Sequence, residues 1–169
     1  MDVCLLDLPK KFDMVIMPFN SFAHIVSRND QKKAIECVYP HLLPGGHFIC
    51  TLGNPAVRQK AVDDQMRLFR EYPLPDAQGA LLLWIVENHV LADDQVIHAS
   101  QFYEEYGAKG ILKEKRLLEL HFRLSRKDEF EKLATAAGFT VKAFYGDYTY
   151  TEWIEDSSPF MIWILEKAG

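Results

Sequence analysis

Two hydrophobic periods divide this chain. Residues 13–19 are apolar after the first position and show no alternation. A strand of that kind needs cover on both faces, as in a parallel sheet flanked by helices. A helix is predicted next, capped by Asn29 or Asp30, with Ala34, Ile35, Val38 and Leu42 on one face. Pro40 predicts a kink or an early end, because it removes a helix hydrogen bond and disfavours helix at Tyr39. Leu43-Pro44-Gly45-Gly46 reads as the helix stop and residues 47–52 as a second buried strand. Two such strands joined by a helix make a parallel crossover unit.

The middle of the chain has another rhythm. Residues 55–71 are predicted to include a helix marked by Val62, Met66 and Phe69, broken by Tyr72-Pro73-Leu74-Pro75. Residues 80–91 and 96–106 read as long strands, with turns at Ala92-Asp93-Asp94 and Gly107-Ala108-Lys109-Gly110. Leu118, Leu120, Phe122 and Leu124 then alternate with Glu119, His121 and Arg123, a half-buried third strand. The prediction is an antiparallel meander, with Trp84, Phe102, Tyr103 and Phe122 as core or dimer contacts. The last third returns to the first rhythm. Ser125 with Asp128 resembles a capping box, Phe130, Leu133, Ala134 and Ala137 form a helix face, and Gly138 ends it. Strands are predicted at 141–145 and 160–165.

Composition narrows the function classes. The chain has 169 residues, enough for one domain with a real core. No apolar run approaches the roughly 18 residues of a membrane helix. The first residues carry acids where a signal peptide has a positive region, so a cytoplasmic protein is expected. Net charge is −5 and the basic residues are scattered, which argues against nucleic acid as a partner. Cys4, Cys37 and Cys50 are odd in number and sit among apolar residues, so they read as reduced thiols. No Cys or His pair has zinc spacing, and no metal is expected.

One segment carries a resemblance. Phe12-Asp13, Val15, Phe19-Asn20-Ser21-Phe22 and His24 are followed, after a helix, by Leu42 or Leu43, Pro44-Gly45-Gly46 and Phe48. This resembles the fourth-to-fifth-strand part of a class I S-adenosylmethionine-dependent methyltransferase. Ala137-Gly138-Phe139 looks like that family's last helix entering its sixth strand. The resemblance implies an α/β fold: a partial Rossmann-like methyltransferase sheet (strands 4, 5, 7, 6) with an inserted antiparallel β-meander. Residues 1–54 and 125–169 are expected as the core of a single domain. Residues 55–124 are expected as an insertion on the substrate side or at a dimer contact.

The resemblance also implies S-adenosyl-L-methionine as cofactor, a small-molecule substrate, and methyl transfer by in-line displacement. Asp2 is placed against the adenine amine. Pro18, Phe19 and Asn20 are placed at the cofactor because open α/β sheets hold ligands at the carboxyl ends of their strands. His24 and Asp147 are the candidate catalytic residues, and Asn54, Tyr145 and Tyr148 the candidate substrate contacts. The plainer readings are a packed helix residue for His24, the start of an Asn-Pro turn for Asn54 and a solvated loop acid for Asp147.

The chain also departs from the family. None of its nine glycines forms the G-x-G that holds the methionine part of the cofactor. The acid that holds the ribose has no counterpart either. Without the family's first three strands, the strand at 13–19 becomes an apolar edge, which natural proteins avoid. The expectation is a truncated chain, or half of an assembly, with a homodimer or association through that edge strand. The alternatives are a methyltransferase-like protein that binds no cofactor and acts by interaction, and another Rossmann-like nucleotide-dependent enzyme.

Overall fold

The computed structural model describes residues 2–75 and 79–169. In chain order the strands are β1 (Phe12–Met17), β2 (Leu42–Gly53), β3 (Arg67–Pro73), β4 (Gly79–Val90), β5 (Asp93–Gly107), β6 (Leu112–Arg123), β7 (Phe139–Tyr145) and β8 (Phe160–Lys167). The α-helices are α1 (Arg28–Val38), α2 (Pro55–Arg58) and α3 (Lys127–Ala136). They fall into two compact units, Met1–Lys60 with Arg123–Gly169, and Ala61–Phe122.

The first unit holds a sheet in the order β1-β2-β8-β7. β1 runs parallel to β2, while β8 is antiparallel to both β2 and β7. This is the expected strand order, with β1 at an edge. Local signals place α1 slightly differently from expectation. Ser27, in extended conformation, caps the helix by accepting from the amide of Asp30 at 3.3 Å, so Asn29 and Asp30 lie inside. The helix ends at Val38 and Pro40 falls in a 3-10 turn, the predicted early end. Pro44-Gly45-Gly46 is not a separate stop. It forms a bulge inside β2, where the register jumps from Phe12–Leu42 to Met14–His47. At Gly46 a Cβ would lie 2.8 Å from the Leu43 carbonyl oxygen and 3.2 Å from that of Asp13. α3 starts one residue later than predicted, with Glu129 accepting from the Arg126 amide. The Ser125 hydroxyl instead accepts from the buried Gln31 amide at 3.1 Å.

One face of this sheet is closed. Phe48, Cys50 and Leu52 of β2 and Met161, Trp163 and Leu165 of β8 are buried. Phe130 of α3 reaches Trp163 at 4.3 Å between ring centroids and Phe22 at 5.2 Å. Tyr39, just after α1, and Phe48 flank Phe139. α1 buries Ala34, Ile35 and Val38, and it is tied to the start of α3 by Gln31–Ser125 and by Arg28–Glu129 at 3.0 Å. Both long helices therefore cover the same face. On the other face Met14 and Ile16 are 49% and 56% exposed, beside half-buried His47 and Ile49.

The second unit is an antiparallel sheet in the order β3-β4-β5-β6. It has four strands where three were predicted. Residues 67–73 form an edge strand rather than the continuation of a helix, because pairing with β4 satisfies their backbone and outweighs a weak helical period. Pro73 is tolerated because β3 lies at an edge. β6 begins at Leu112, earlier than predicted. Trp84 and Phe102 face each other across β4 and β5, half-buried.

Replacing Phe130 by Ala removes the ring that joins α3 to Trp163 and Phe22. Urea unfolding is expected to show a loss of about 3–5 kcal/mol. A loss under about 1 kcal/mol would contradict this packing.

A candidate ligand site at the carboxyl ends of the parallel strands

β1, β2 and β7 point the same way, so their carboxyl ends share one edge of the first unit. The turn after β1 is closed by Ser21, whose amide and hydroxyl both donate to the Pro18 carbonyl at 3.1 and 2.7 Å. Phe19 and Asn20 take left-handed conformations, with φ of 55° and 58°. Asn tolerates this region, but a residue such as Phe does so at a cost of order 1–3 kcal/mol. The Phe19 side chain is 84% exposed.

Asn20 turns toward the end of β2. A Cβ at Gly53 would lie in ordinary contact, about 3.5 Å, with the Asn20 amide group, and closer, 3.2 Å, to Cγ of Arg58. The Oδ1 of Asn20 is buried and accepts no hydrogen bond. A buried acceptor without a partner costs about 1–3 kcal/mol. Strain and an unanswered acceptor thus coincide at the carboxyl end of a parallel strand, where ligands sit in open α/β sheets.

Asn54 lies beside this point but is engaged elsewhere. It is 1% exposed, and its Nδ2 donates to the carbonyls of Glu155 at 2.6 Å and Ser158 at 2.8 Å. Its Oδ1 caps α2 through the Ala56 amide at 3.1 Å. The side chain ties β2 to the loop before β8 and keeps no donor for a substrate, which agrees with the Asn-Pro turn reading.

That loop, residues 146–159, is organised by Asp147. Its carboxylate accepts from the hydroxyl and amide of Thr151 at 2.6 and 3.2 Å, and from those of Thr149, both at 2.8 Å. The hydrogen bonds from Thr151 and then Thr149 hold its pKa down to about 2. At neutral pH it is a fully engaged carboxylate, suited to holding the loop rather than taking a proton. Between the two threonines Tyr150 is left-handed, and its ring meets Tyr145 edge-on at 5.3 Å. Tyr148 is exposed and packs on Phe160, which pairs in register with Gly53. The structure therefore joins Asn20, Gly53, Phe160 and Tyr148 along one edge.

The remaining candidates lie around this edge. His24 is exposed on the 3-10 turn Ser21–His24, directly after Asn20. Asp2 caps the short turn Val3–Leu5 by accepting from the Cys4 amide at 2.9 Å. That turn is held to α1 by Cys4 and Cys37, whose thiols donate to the carbonyls of Asp30 and Cys4. All three cysteines are free, and burial pushes the Cys50 thiol well up. The sequence reading missed Gly53 and the threonine clasp. It also missed Trp153, which packs on Phe144 and buries an indole Nε1 without a partner.

The sign of the Asp147 shift sets a pH test. A depressed pKa keeps the clasp intact above the unfolded value, near 3.9, and releases it as pH falls through about 2. Carboxyl-carbon NMR is expected to place the midpoint near 2. A midpoint near the ordinary aspartate value would contradict the clasp.

No protein-family model and no curated protein matches the sequence. Solved structures do match the fold. An S-adenosylmethionine-dependent methyltransferase from Clostridium acetobutylicum aligns over the whole chain and 63% of its own, with a TM-score of 0.79 and 17% identity. The CcbJ methyltransferase from Streptomyces caelestis aligns over all of this chain and 62% of its own, at 0.74 and 18%. The sugar N-methyltransferase KedS8 from Streptoalloteichus aligns over all of this chain and 61% of its own, at 0.74 and 13%. The chain spans under two thirds of each. Its strand order and its likeness to these structures agree: the fold is that of the S-adenosylmethionine-dependent methyltransferases.

Proposed function

We propose that this protein serves S-adenosylmethionine-dependent methyl transfer to a small-molecule acceptor. The carrying observation is Asn20, held in a strained turn with a buried, unpaired Oδ1 at the carboxyl end of β1. The cofactor has an ammonium, ribose hydroxyls and an adenine amine, any of which can donate to that oxygen. When bound, it supplies an electrophilic methyl on sulfur. Asn20 orients it from its place beside Gly53. The exposed rings of Phe19 and Tyr148 supply apolar surface that excludes water. Positioning is the main lever in such a transfer, with up to ~7–11 kcal/mol available from it. His24 is the base candidate for an acceptor that must lose a proton. Asp147 acts indirectly, by fixing the loop that carries Tyr148. Asp2 caps its turn through Oδ1 alone and stays a candidate for the adenine amine.

The named activities of the similar structures, a sugar N-methyltransferase among them, support a small molecule as acceptor. Three free thiols support a cytoplasmic setting, and among the described residues no helix is long and apolar enough to cross a membrane. The exposed residues on β1 support association through that edge, in a homodimer or with another segment. The alternative, a non-catalytic relative, is favoured by the lack of a G-x-G in the chain.

Calorimetry with S-adenosylhomocysteine, on protein purified natively from its own cells, tests this. Binding is expected, with Asn20→Ala weakening it about tenfold or more. No binding by the unaltered protein would refute the proposal.

A further inference from the structure

The segment ahead of β1 packs its 3-10 turn, Val3–Leu5, against α1. Two thiols tie it there. Cys4 donates to the Asp30 carbonyl at 3.4 Å, and Cys37 donates to the Cys4 carbonyl at 3.3 Å. Thiols are weak donors. Burial, and then Asp2, push the Cys4 thiol up, so it stays neutral. A stronger tie lies further along. The Leu8 amide donates to Nε2 of His41 at 2.9 Å. His41 is 8% exposed and sits in the 3-10 turn Tyr39–His41, between α1 and β2. Its other ring nitrogen, Nδ1, lies 2.7 Å from the Cys37 carbonyl oxygen. These two partners fix the form of the ring. A carbonyl only accepts, so Nδ1 carries the proton. An amide N–H only donates, so Nε2 is bare.

We propose that His41 is a pH-sensitive latch: neutral, it holds Leu8 and residues 2–8 against α1 and the start of β2, and protonated, it lets them go. Protonation puts a hydrogen on Nε2, which then meets the Leu8 N–H head-on. The bond to Cys37 survives, because Nδ1 donates in both forms and the last carbonyls of a helix favour a cation. The ring therefore stays anchored and the break falls on the Leu8 side alone. The groups around it offer no substitute. From α1 comes the Cys37 thiol, spent on the Cys4 carbonyl. From β8 comes the Lys167 ammonium, which donates to the carbonyls of Tyr39 and Leu42 at 3.0 and 2.9 Å and opposes a second cation beside it. Tyr39, in the same turn as His41, lies with its ring under that ammonium. The held segment brings Cys4, and Asp7 and Lys10 to either side of Leu8, both exposed. Among the described residues no carboxylate pairs with the His41 ring. Asp2 caps the turn at the far end of the held segment, so its position depends on the latch.

The latch needs no cofactor, and neither does its test. Protein isolated natively from its own cells, grown on 15N, is followed by NMR from about pH 8 to 5, the range in which histidine changes charge. At the upper end the ring is expected as the Nδ1–H tautomer, with the Leu8 amide shifted by its bond to Nε2. As His41 protonates, the Leu8 signal is expected to move with the same midpoint. Its exchange protection, corrected for the intrinsic rate, is expected to fall about tenfold or more while β8 stays protected. His41→Gln keeps a neutral acceptor and cannot change charge, so it is expected to hold the Leu8 signal flat across the range. Should that variant unfold, visible as lost protection in β8, the unaltered protein decides alone. The Nε2–H tautomer at the upper end would overturn the proposal. So would protonation that leaves Leu8 unmoved, or a ring that stays neutral throughout.

Discussion

A parallel sheet has no wet face. Its strands carry apolar side chains up and down, and each face needs a helix layer. Much of the first unit follows from meeting that demand on one side. Phe130, Trp163, Phe22, Phe48 and Phe139 interlock there, and the Gln31–Ser125 bond, joining side chains 94 residues apart, pins the two helices at their starts. On the other side Thr51 and Ile162 are buried, while Met14 and Ile16 stay exposed at the β1 edge.

The site inherits this asymmetry. The carboxyl ends of β1, β2 and β7 are brought to one edge by the sheet itself. The turn after β1 then departs from comfortable geometry at two successive residues. Such strain persists only where surrounding structure over-determines it. Here Ser21 closes the turn from one side and the Gly53 surface receives Asn20 from the other. The loop after β7 is fixed by different means, a carboxylate wrapped by two threonines. Residues that look like interchangeable loop polars thus divide into roles. Asn54 and Asp147 hold backbone, while Asn20 keeps an acceptor free.

Much of this was legible in the sequence. The unbroken apolar runs of β1 and β8 and the Phe-Asn-Ser-Phe turn marked the sheet and the edge where its parallel strands end. What escaped had physical reasons. The edge strand β3 hid behind a weak helical period at Met66 and Phe69, because its strand character comes from pairing with β4 rather than from its own alternation. The Pro-Gly-Gly bulge looked like a helix stop, since both need a left-handed residue, here Gly45 with φ of 74°. Asp147 read as a possible base because the hydroxyls and amides that saturate its carboxylate are placed by geometry that a sequence does not carry.

The central claim is that the unpaired acceptor of Asn20 faces a ligand. Side-chain amide NMR of the natively purified protein, titrated with S-adenosylhomocysteine, tests it most directly. The account predicts that the Asn20 side-chain signals and the Gly53 amide shift together and early, with Asn54 following little because its hydrogen bonds are internal. Saturable binding that leaves Asn20 and Gly53 unmoved and shifts only residues 61–122 would contradict it.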